Sequence, residues 1–139
     1  MPEVIVQVPN AIYLIAGAGD DKRRLEHLAA ERGLAGRVVF TGHVPADELP
    51  SYYALADVFA MPSTGEGFGI VFLEAAACGL PVIAGNADGS VDALGEGQIG
   101  CLVDPLSHEQ VTAALIRALQ GGLGGIIAGV KRFSFGNFA

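Results

Sequence analysis

Two glutamates, Glu66 and Glu74, stand eight positions apart around a glycine-rich turn that leads into an apolar run. Directly upstream, residues 58–62 have the composition of a buried strand that ends at a proline. A strand, a glycine turn and a helix N-terminus together form an anion-binding site, because free backbone N–H groups converge there. The two carboxylates can then accept hydrogen bonds from hydroxyl groups. This combination predicts a site for a ligand that carries both phosphates and hydroxyls, such as a sugar nucleotide.

Charge is distributed unevenly along the chain. The formal net charge is −7, which argues against a nucleic-acid-binding surface. All eight Lys and Arg residues lie within 22–37 or 117–132, whereas residues 38–110 contain ten acids and no Lys or Arg. A phosphate near the glycine turn must therefore rely on backbone N–H groups and helix dipoles.

The composition is that of a globular protein with one domain. The chain has 139 residues, of which 51% are apolar and 17% charged. No apolar run reaches the length of a membrane span and no signal peptide opens the chain, so we expect a cytoplasmic location. Cys78 and Cys101 lack metal-ligand spacing and are expected to be buried free thiols. The three histidines show no metal spacing either, although His43 is a candidate for lining a nucleotide site. No metal site is predicted.

Strand-like and helix-like segments alternate along the chain. Apolar strands separated by amphipathic helices and short loops predict an α/β fold, with a Rossmann-like parallel sheet and helices on both faces. The loops that carry candidate residues all follow strands, and ligands in such folds bind beyond the carboxyl ends of the strands. We therefore expect one common site. The predicted strands are 12–16, 38–41, 58–61, 82–84 and 101–103.

Helix boundaries are indicated by capping residues. Asp20 or Asp21 is expected to cap the first of these helices, and Gly33 to end it. The helix at 69–78 is expected to end at Gly79. Ser107 and Gln110 together predict a capping box for the last helix. Residues 3–8 fit either a strand or the tail of a helix.

The glutamate pair also resembles a known signature. The spacing from Glu66 to Glu74 is similar to the E-x7-E motif of retaining, GT-B-type glycosyltransferases of the glycogen-synthase-like and mannosyltransferase-like group. Other segments resemble that group in the same order, and together they cover about residues 10–120. They are residues 14–19, 38–44, 52–62, 76–82 and 100–105. The resemblance implies the donor-binding, C-terminal half of a GT-B fold.

The resemblance also implies roles for individual residues. Glu66 would bind hydroxyls of the donor sugar and is the candidate catalytic residue, although it would position the donor and is not an obvious nucleophile. Glu74 would bind the ribose hydroxyls, and Val44 would meet the base through its backbone. Backbone N–H groups of residues 67–70 would hold the sugar and the diphosphate. The complete set of candidate donor-binding residues is Gly17, Val44, Ser63, Gly65, Glu66, Gly67, Phe68, Gly69, Ile70 and Glu74.

The chain departs from that group at its two ends. The acceptor-binding N-terminal domain is not present in this sequence, nor are the first strand and helix of the C-terminal domain, which carry an Arg and a Lys that bind the diphosphate. We therefore expect an incomplete nucleotide-sugar-binding domain over residues 1–120 and a glycine-rich tail over 121–139. Residues 4–8 are expected to occupy the place of the missing central strand; the alternatives are that another chain fills it or that the domain is only marginally stable.

The resulting functional hypothesis is a glycosyltransferase domain that binds a nucleotide-diphosphate sugar for retaining transfer. It would need no cofactor and no metal, and it would be inactive by itself. The acceptor would be a carbohydrate or a lipid-linked sugar, bound through the missing domain, with membrane association of the full-length enzyme as one alternative. The rival hypotheses are a non-catalytic nucleotide- or sugar-binding module and one half of a split transferase that needs a partner chain or self-association.

Overall fold

A computed structural model describes residues 1–123 of the chain. The chain divides into two compact units, Met1–Leu49 and a second unit that begins at Pro50. Each unit contains its own parallel sheet. The predicted parallel α/β architecture is confirmed.

The first unit is built around a two-stranded parallel sheet. Its elements are α1 (Pro2–Gln7), β1 (Tyr13–Ala16), α2 (Lys22–Glu31) and β2 (Val38–Gly42). Tyr13 lies opposite Val38, and the register shifts by one residue between Ile15 and Ala16. Both predicted strands are present within one residue of their expected bounds.

Residues 4–8 form most of α1 and the residue after it, so the prediction that they occupy a strand position is wrong. Val8 N–H donates to Val4 C=O at 2.7 Å, which is the hydrogen-bond spacing of an α-helix. Pro2 suits the first turn, where no N–H donor is needed. Val4 is fully buried while Val6 is 75% exposed. The β-branched composition favours a strand, but packing of one helical face overrides it.

Residues 4–8 therefore pair with no strand of either sheet. Among residues 1–123, β1 pairs only with β2, and β3 pairs only with β4.

Helix α2 lacks a side-chain cap at its N-terminus but has a glycine stop at its C-terminus. Asp21 occupies the N-cap position, but its carboxylate binds the Arg24 guanidinium instead of a backbone N–H, so the predicted side-chain cap is wrong. The ion pair three residues apart competes for the same oxygens. At the other end Gly33 has a φ of +68°. Gly33 N–H donates to Ala30 C=O and Leu34 N–H to Ala29 C=O, which is a Schellman motif and confirms the predicted stop.

The second unit is built around a three-stranded parallel sheet in the order β3-β4-β5. Phe59 pairs with Val82 at the start of β3 and β4, and Ile83 pairs with Cys101 at the start of β5. Helix α3 begins at the boundary between the two units. The elements are α3 (Leu49–Leu55), β3 (Phe59–Met61), α4 (Ile70–Ala77), β4 (Val82–Gly85), α5 (Ser90–Ala93), β5 (Cys101–Val103) and α6 (His108–Leu119).

Strand β4 separates two apolar clusters, one on each face of its sheet. Val82 and Ala84 pack with buried residues that include Phe72 of α4 and Leu94, the residue after α5. Ile83 points to the opposite face and packs with α6. Alternate residues of a strand face opposite sides, so a continuously apolar strand must be covered on both. In the second unit, helices cover both faces of the sheet as predicted.

The glycine stop predicted for α4 is present, whereas the capping box predicted for α6 is incomplete. Gly79, with a φ of +84°, follows the C-cap residue of α4 and stops the helix, as predicted. At α6, Ser107 Oγ accepts a 3.3 Å hydrogen bond from Gln110 N–H. Gln110 Oε1 accepts from Asp104 N–H and not from Ser107, whose own N–H donates to Asp104 C=O. The predicted capping box is therefore only half formed, because Asp104 takes both of the remaining partners.

Two further expectations concern the cysteines and the C-terminal tail. Cys101 is half-buried, but Cys78 is exposed, because it is the C-cap residue of α4 and lies at the surface end of that helix. The prediction that Cys78 is buried is wrong. Most of the predicted glycine-rich tail, residues 124–139, lies outside the described residues.

Candidate functional site

The glycine turn between β3 and α4 has a backbone that only glycine fits at one position. Gly69 is the N-cap of α4, is buried, and has a φ of +81°. A Cβ atom at this position would lie 2.4 Å from the Phe72 ring and 3.0 Å from Cγ of Glu66. The left-handed backbone and the close ring both exclude a side chain. Gly69 thereby sets the direction in which the chain enters α4.

The turn presents a row of free donors at the N-terminus of α4. Within the part of the chain that the structure describes, the backbone N–H groups of residues 67–70 donate no hydrogen bond. The first N–H groups of a helix have no partner inside it, and the helix dipole makes this end electropositive. The turn therefore has free donors at an electropositive helix end, and anion binding there stays a prediction.

Glu66 is held by its backbone and leaves its carboxylate available. Its N–H donates to Oδ2 of Asp88 at 2.8 Å, and its C=O accepts from Gly89 N–H at 3.0 Å. The side chain is half-buried, with its stem close to Gly69. The backbone is therefore fixed on both sides of the residue, and the two carboxylate oxygens can accept hydroxyl hydrogen bonds from a ligand.

Ser63 takes part in the same loop contact. Its hydroxyl donates a 2.8 Å hydrogen bond to Oδ2 of Asp88. Ser63 thus has a structural partner within the protein, in addition to its predicted place at the donor site. Gly65, between Ser63 and Glu66, is exposed and has open space where a Cβ would lie.

Glu74 lies on the exposed side of α4, and its carboxylate has one hydrogen-bond partner within residues 1–123. Oε2 accepts a 2.9 Å hydrogen bond from the Tyr53 hydroxyl. Burial of the Tyr53 ring, and then its hydrogen bond to Glu74, raise the pKa of the phenol. A carboxylate can accept about four hydrogen bonds, so Glu74 keeps capacity for ligand hydroxyls.

Gly17 and Val44 belong to the first unit. Gly17 follows β1 directly, has a φ of +141°, and donates its N–H to Gly42 C=O at 2.8 Å. Val44 follows β2 and is half-buried. Each stands beyond the carboxyl end of its strand, where ligands bind in such folds. All the other predicted donor-site residues belong to the second unit, around the glycine turn and α4.

Asp88 is the main residue that the sequence analysis did not identify. It follows β4, and its carboxylate accepts from Ser63, from Glu66 N–H, and at 3.0 Å from Ser90 N–H. The only sequence signal is the Asp-Gly-Ser order, since an Asp often accepts from the N–H two residues later. The contacts to Ser63 and Glu66 span more than twenty residues and have no local signature.

The described residues contain neither a cluster of metal-binding side chains nor a helix that could span a membrane. Within residues 1–123, no group of three His, Cys, Asp or Glu side chains lies close enough together to hold a metal ion. No helix in that range is long and apolar enough to cross a membrane.

The amino-acid sequence is similar to those of known glycosyltransferases. A family model described as glycosyl transferases group 1 matches residues 2–124. The GDP-mannose-dependent alpha-(1-6)-phosphatidylinositol monomannoside mannosyltransferase of Mycolicibacterium smegmatis is 41% identical over 122 residues, which cover 83% of this chain and 32% of that protein.

Two solved structures share the fold. HepE of Anabaena, in complex with UDP, has a TM-score of 0.76 at 25% identity, covering 94% of this chain and 39% of that one. Sucrose-phosphate synthase of Thermosynechococcus elongatus has a TM-score of 0.79 at 32% identity, covering 92% and 34%. This chain therefore spans about a third of the length of the relatives it matches. Since the family model matches all but the first of the described residues, the chain belongs to the group 1 glycosyl transferases.

Proposed function

We propose that this chain is the donor-binding part of a retaining glycosyltransferase and that it binds a nucleoside-diphosphate sugar. The observation that carries the proposal is the row of free N–H groups at residues 67–70, at the N-terminus of α4, flanked in sequence by Glu66 and Glu74. The neighbour from Anabaena was solved with UDP, and the mycolicibacterial relative is named as GDP-mannose-dependent.

The binding roles divide according to the chemistry of the ligand. The N–H groups of residues 67–70 and the dipole of α4 receive the diphosphate. Glu66 accepts hydrogen bonds from hydroxyls of the sugar, and Glu74 accepts them from the ribose. The contacts of Gly17 and Val44 with the base stay predictions.

The proposed reaction needs neither a cofactor nor a metal ion. Departure of the diphosphate leaves an oxocarbenium-like sugar, and the N–H groups stabilise the negative charge on the leaving group. The acceptor hydroxyl forms its bond to the sugar on the same face and gives its proton to the departing diphosphate, so the configuration at the sugar is retained. Glu66 acts by positioning the donor sugar through its hydroxyls.

The acceptor is proposed to be a carbohydrate or a lipid-linked sugar, held by a part of the enzyme outside this sequence. The mycolicibacterial relative is named for a phosphatidylinositol mannoside acceptor, which supports the lipid-linked class. We propose a cytoplasmic location, with membrane association of a full-length enzyme that acts on such a lipid.

Calorimetry tests donor binding directly. The full chain is titrated with GDP-mannose, UDP-glucose and the corresponding diphosphates, and we expect one class of sugar nucleotide to bind. Glu74→Ala should weaken binding by about 1–3 kcal/mol, because ribose hydroxyls lose their acceptor. Glu109→Ala, on the exposed side of α6, is the matched control and should bind like the wild type. Absence of binding in the wild type would refute the proposal, and an unchanged affinity of Glu74→Ala would remove Glu74 from the site.

The absence of Lys and Arg from residues 38–110 favours a second candidate, a binding module that does not catalyse transfer alone. Residues 38–110 contain no Lys or Arg to neutralise a departing diphosphate. The chain by itself should therefore show no measurable transfer from labelled sugar nucleotides to simple acceptors. Adding a separate acceptor-binding chain would restore transfer if the protein is one half of a split enzyme. Robust turnover by this chain alone would contradict the binding-module candidate.

A further inference from the structure

The loop after β4 is bonded to the glycine turn through one carboxylate. Oδ2 of Asp88 accepts from the Ser63 hydroxyl and from Glu66 N–H, both at 2.8 Å. Oδ1 accepts from Ser90 N–H at 3.0 Å, which fixes the carboxylate to its own loop. Asp88 therefore joins the first half of the glycine turn to the start of α5.

Backbone packing shows how close the two loops are. A Cβ at Gly89 would lie 1.8 Å from Gly67 C=O, and one at Gly85 would lie 2.2 Å from Ser63 C=O. Gly89 has a φ of −61°, which any residue can adopt. Glycine is therefore needed at this position for the contact between loops and not for its own conformation. Gly89 N–H adds a 3.0 Å hydrogen bond to Glu66 C=O.

The electrostatics of Asp88 agree with this role. The pKa of the Asp88 carboxyl is lowered, most strongly by Ser90 and then by the Glu66 N–H and the Ser63 hydroxyl. The Ser90 hydroxyl is buried and has no hydrogen-bond partner among the described residues, so within that range the bond from Ser90 to the carboxylate is the one from its backbone N–H. Several donors converge on a group that is fully ionised at neutral pH, and such charge-assisted bonds are the stronger kind.

We propose that Asp88 is a positioning residue for the donor site: its carboxylate holds the Ser63–Glu66 stretch so that Glu66 and the free N–H groups of residues 67–70 are ready for a sugar nucleotide. The effect of Asp88 on donor binding rests on the proposed function, because it requires that the chain binds a sugar nucleotide. The contact itself does not depend on that function.

Substitutions at Asp88 should form a graded series. Asparagine keeps one acceptor oxygen, so it can serve either the Ser90 side or the Ser63 and Glu66 side, while its amide faces donors on the other. Alanine keeps no acceptor. We therefore expect Asp88→Asn to have an intermediate effect and Asp88→Ala the full effect. Asp57→Asn removes another carboxylate of the second unit, an exposed one, and is the matched control.

The first measurement is amide hydrogen exchange of the full chain without ligand. In Asp88→Ala the Glu66 amide should exchange at least tenfold faster than in the wild type, whereas amides within α6 should keep their rates. In Asp57→Asn both sets should be unchanged. An unchanged Glu66 exchange rate in Asp88→Ala would refute the proposal, as would equal acceleration in α6, which would indicate general destabilisation.

The second measurement separates positioning from a general effect on binding. Asp88→Ala should weaken binding of the sugar nucleotide that the wild type prefers by tenfold or more. Binding of the matching nucleoside monophosphate, which lacks the second phosphate and the donor sugar, should weaken less than threefold. Equal losses for both ligands, or no loss for either, would refute the positioning role. If the wild type binds no sugar nucleotide, the proposed function fails, and the exchange measurement still decides whether Asp88 holds the turn.

Discussion

The Tyr53 hydroxyl lies 2.9 Å from Oε2 of Glu74 and donates a hydrogen bond to it. The Tyr53 ring packs edge to face on Phe59, and Phe59 packs in the same way on Phe72, with centroid distances of 5.9 Å in both pairs. The three rings come from α3, β3 and α4. The carboxylate that is proposed to bind the ribose is therefore oriented by a chain of aromatic contacts that runs into the core.

Tyr53→Phe should weaken nucleotide binding while leaving the fold intact. The ring contacts persist, but Glu74 loses a donor that fixes its rotamer, and a single hydrogen bond of this kind contributes about 1 kcal/mol. We expect binding of the diphosphate to weaken threefold to tenfold in calorimetry, which is less than the loss in Glu74→Ala. Tyr52→Phe, one residue earlier on α3, is the control and should leave affinity unchanged. Tighter binding in Tyr53→Phe would show that the tyrosine competes with the ligand.

Gly69→Ala should destabilise the second unit. The left-handed backbone costs about 1–2 kcal/mol for a residue with a side chain, and displacement of the Phe72 ring adds about 1–3 kcal/mol. Urea denaturation measures the loss. Gly65→Ala lies in the same turn with open space around the new methyl group. It should change the free energy of unfolding by about 0.5 kcal/mol or less. Equal stability of the two variants would contradict the described backbone at Gly69.

The ionised Asp88 should make stability depend on pH in the acid range. Its pKa is lower in the folded protein than the ordinary value of 3.8. Its contribution is therefore fully present above that value and is lost as pH falls through the folded pKa. The free energy of unfolding of the wild type should exceed that of Asp88→Asn at pH 6, and the difference should shrink as the pH is lowered below 3.8. A difference that stays constant or widens in acid would contradict the assignment.

Ser107 should stabilise α6 through a single cap bond. Ser107→Ala leaves Gln110 N–H without its acceptor and should lower the free energy of unfolding by about 1 kcal/mol. Ser107→Gly should cost only a few tenths of that, because glycine is tolerated at the N-cap. Denaturant unfolding of the three proteins under one condition provides the comparison. An alanine variant as stable as the wild type would show that the cap bond does not stabilise α6.

Local sequence patterns predicted much of the fold for a physical reason. Strands such as β4 are buried on both faces and appear as unbroken apolar runs, while Gly33 and Gly79 mark helix ends because only glycine adopts the left-handed backbone without strain. Residues 4–8 are one exception among the predicted elements. Their β-branched composition favours a strand, yet the hydrogen bonds and burial of Val4 make them helical.

The candidate site divides in the same way between sequence and tertiary structure. The sequence alone determined the glycine turn, the helix N-terminus and the positions of Glu66 and Glu74, because these are contiguous and their spacing carries the chemistry. Only the tertiary structure decided that Asp88 holds the turn and that Tyr53 orients Glu74. Those contacts join residues more than twenty positions apart. Such a pairing depends on how neighbouring strands and helices pack, and no local pattern of side chains encodes it.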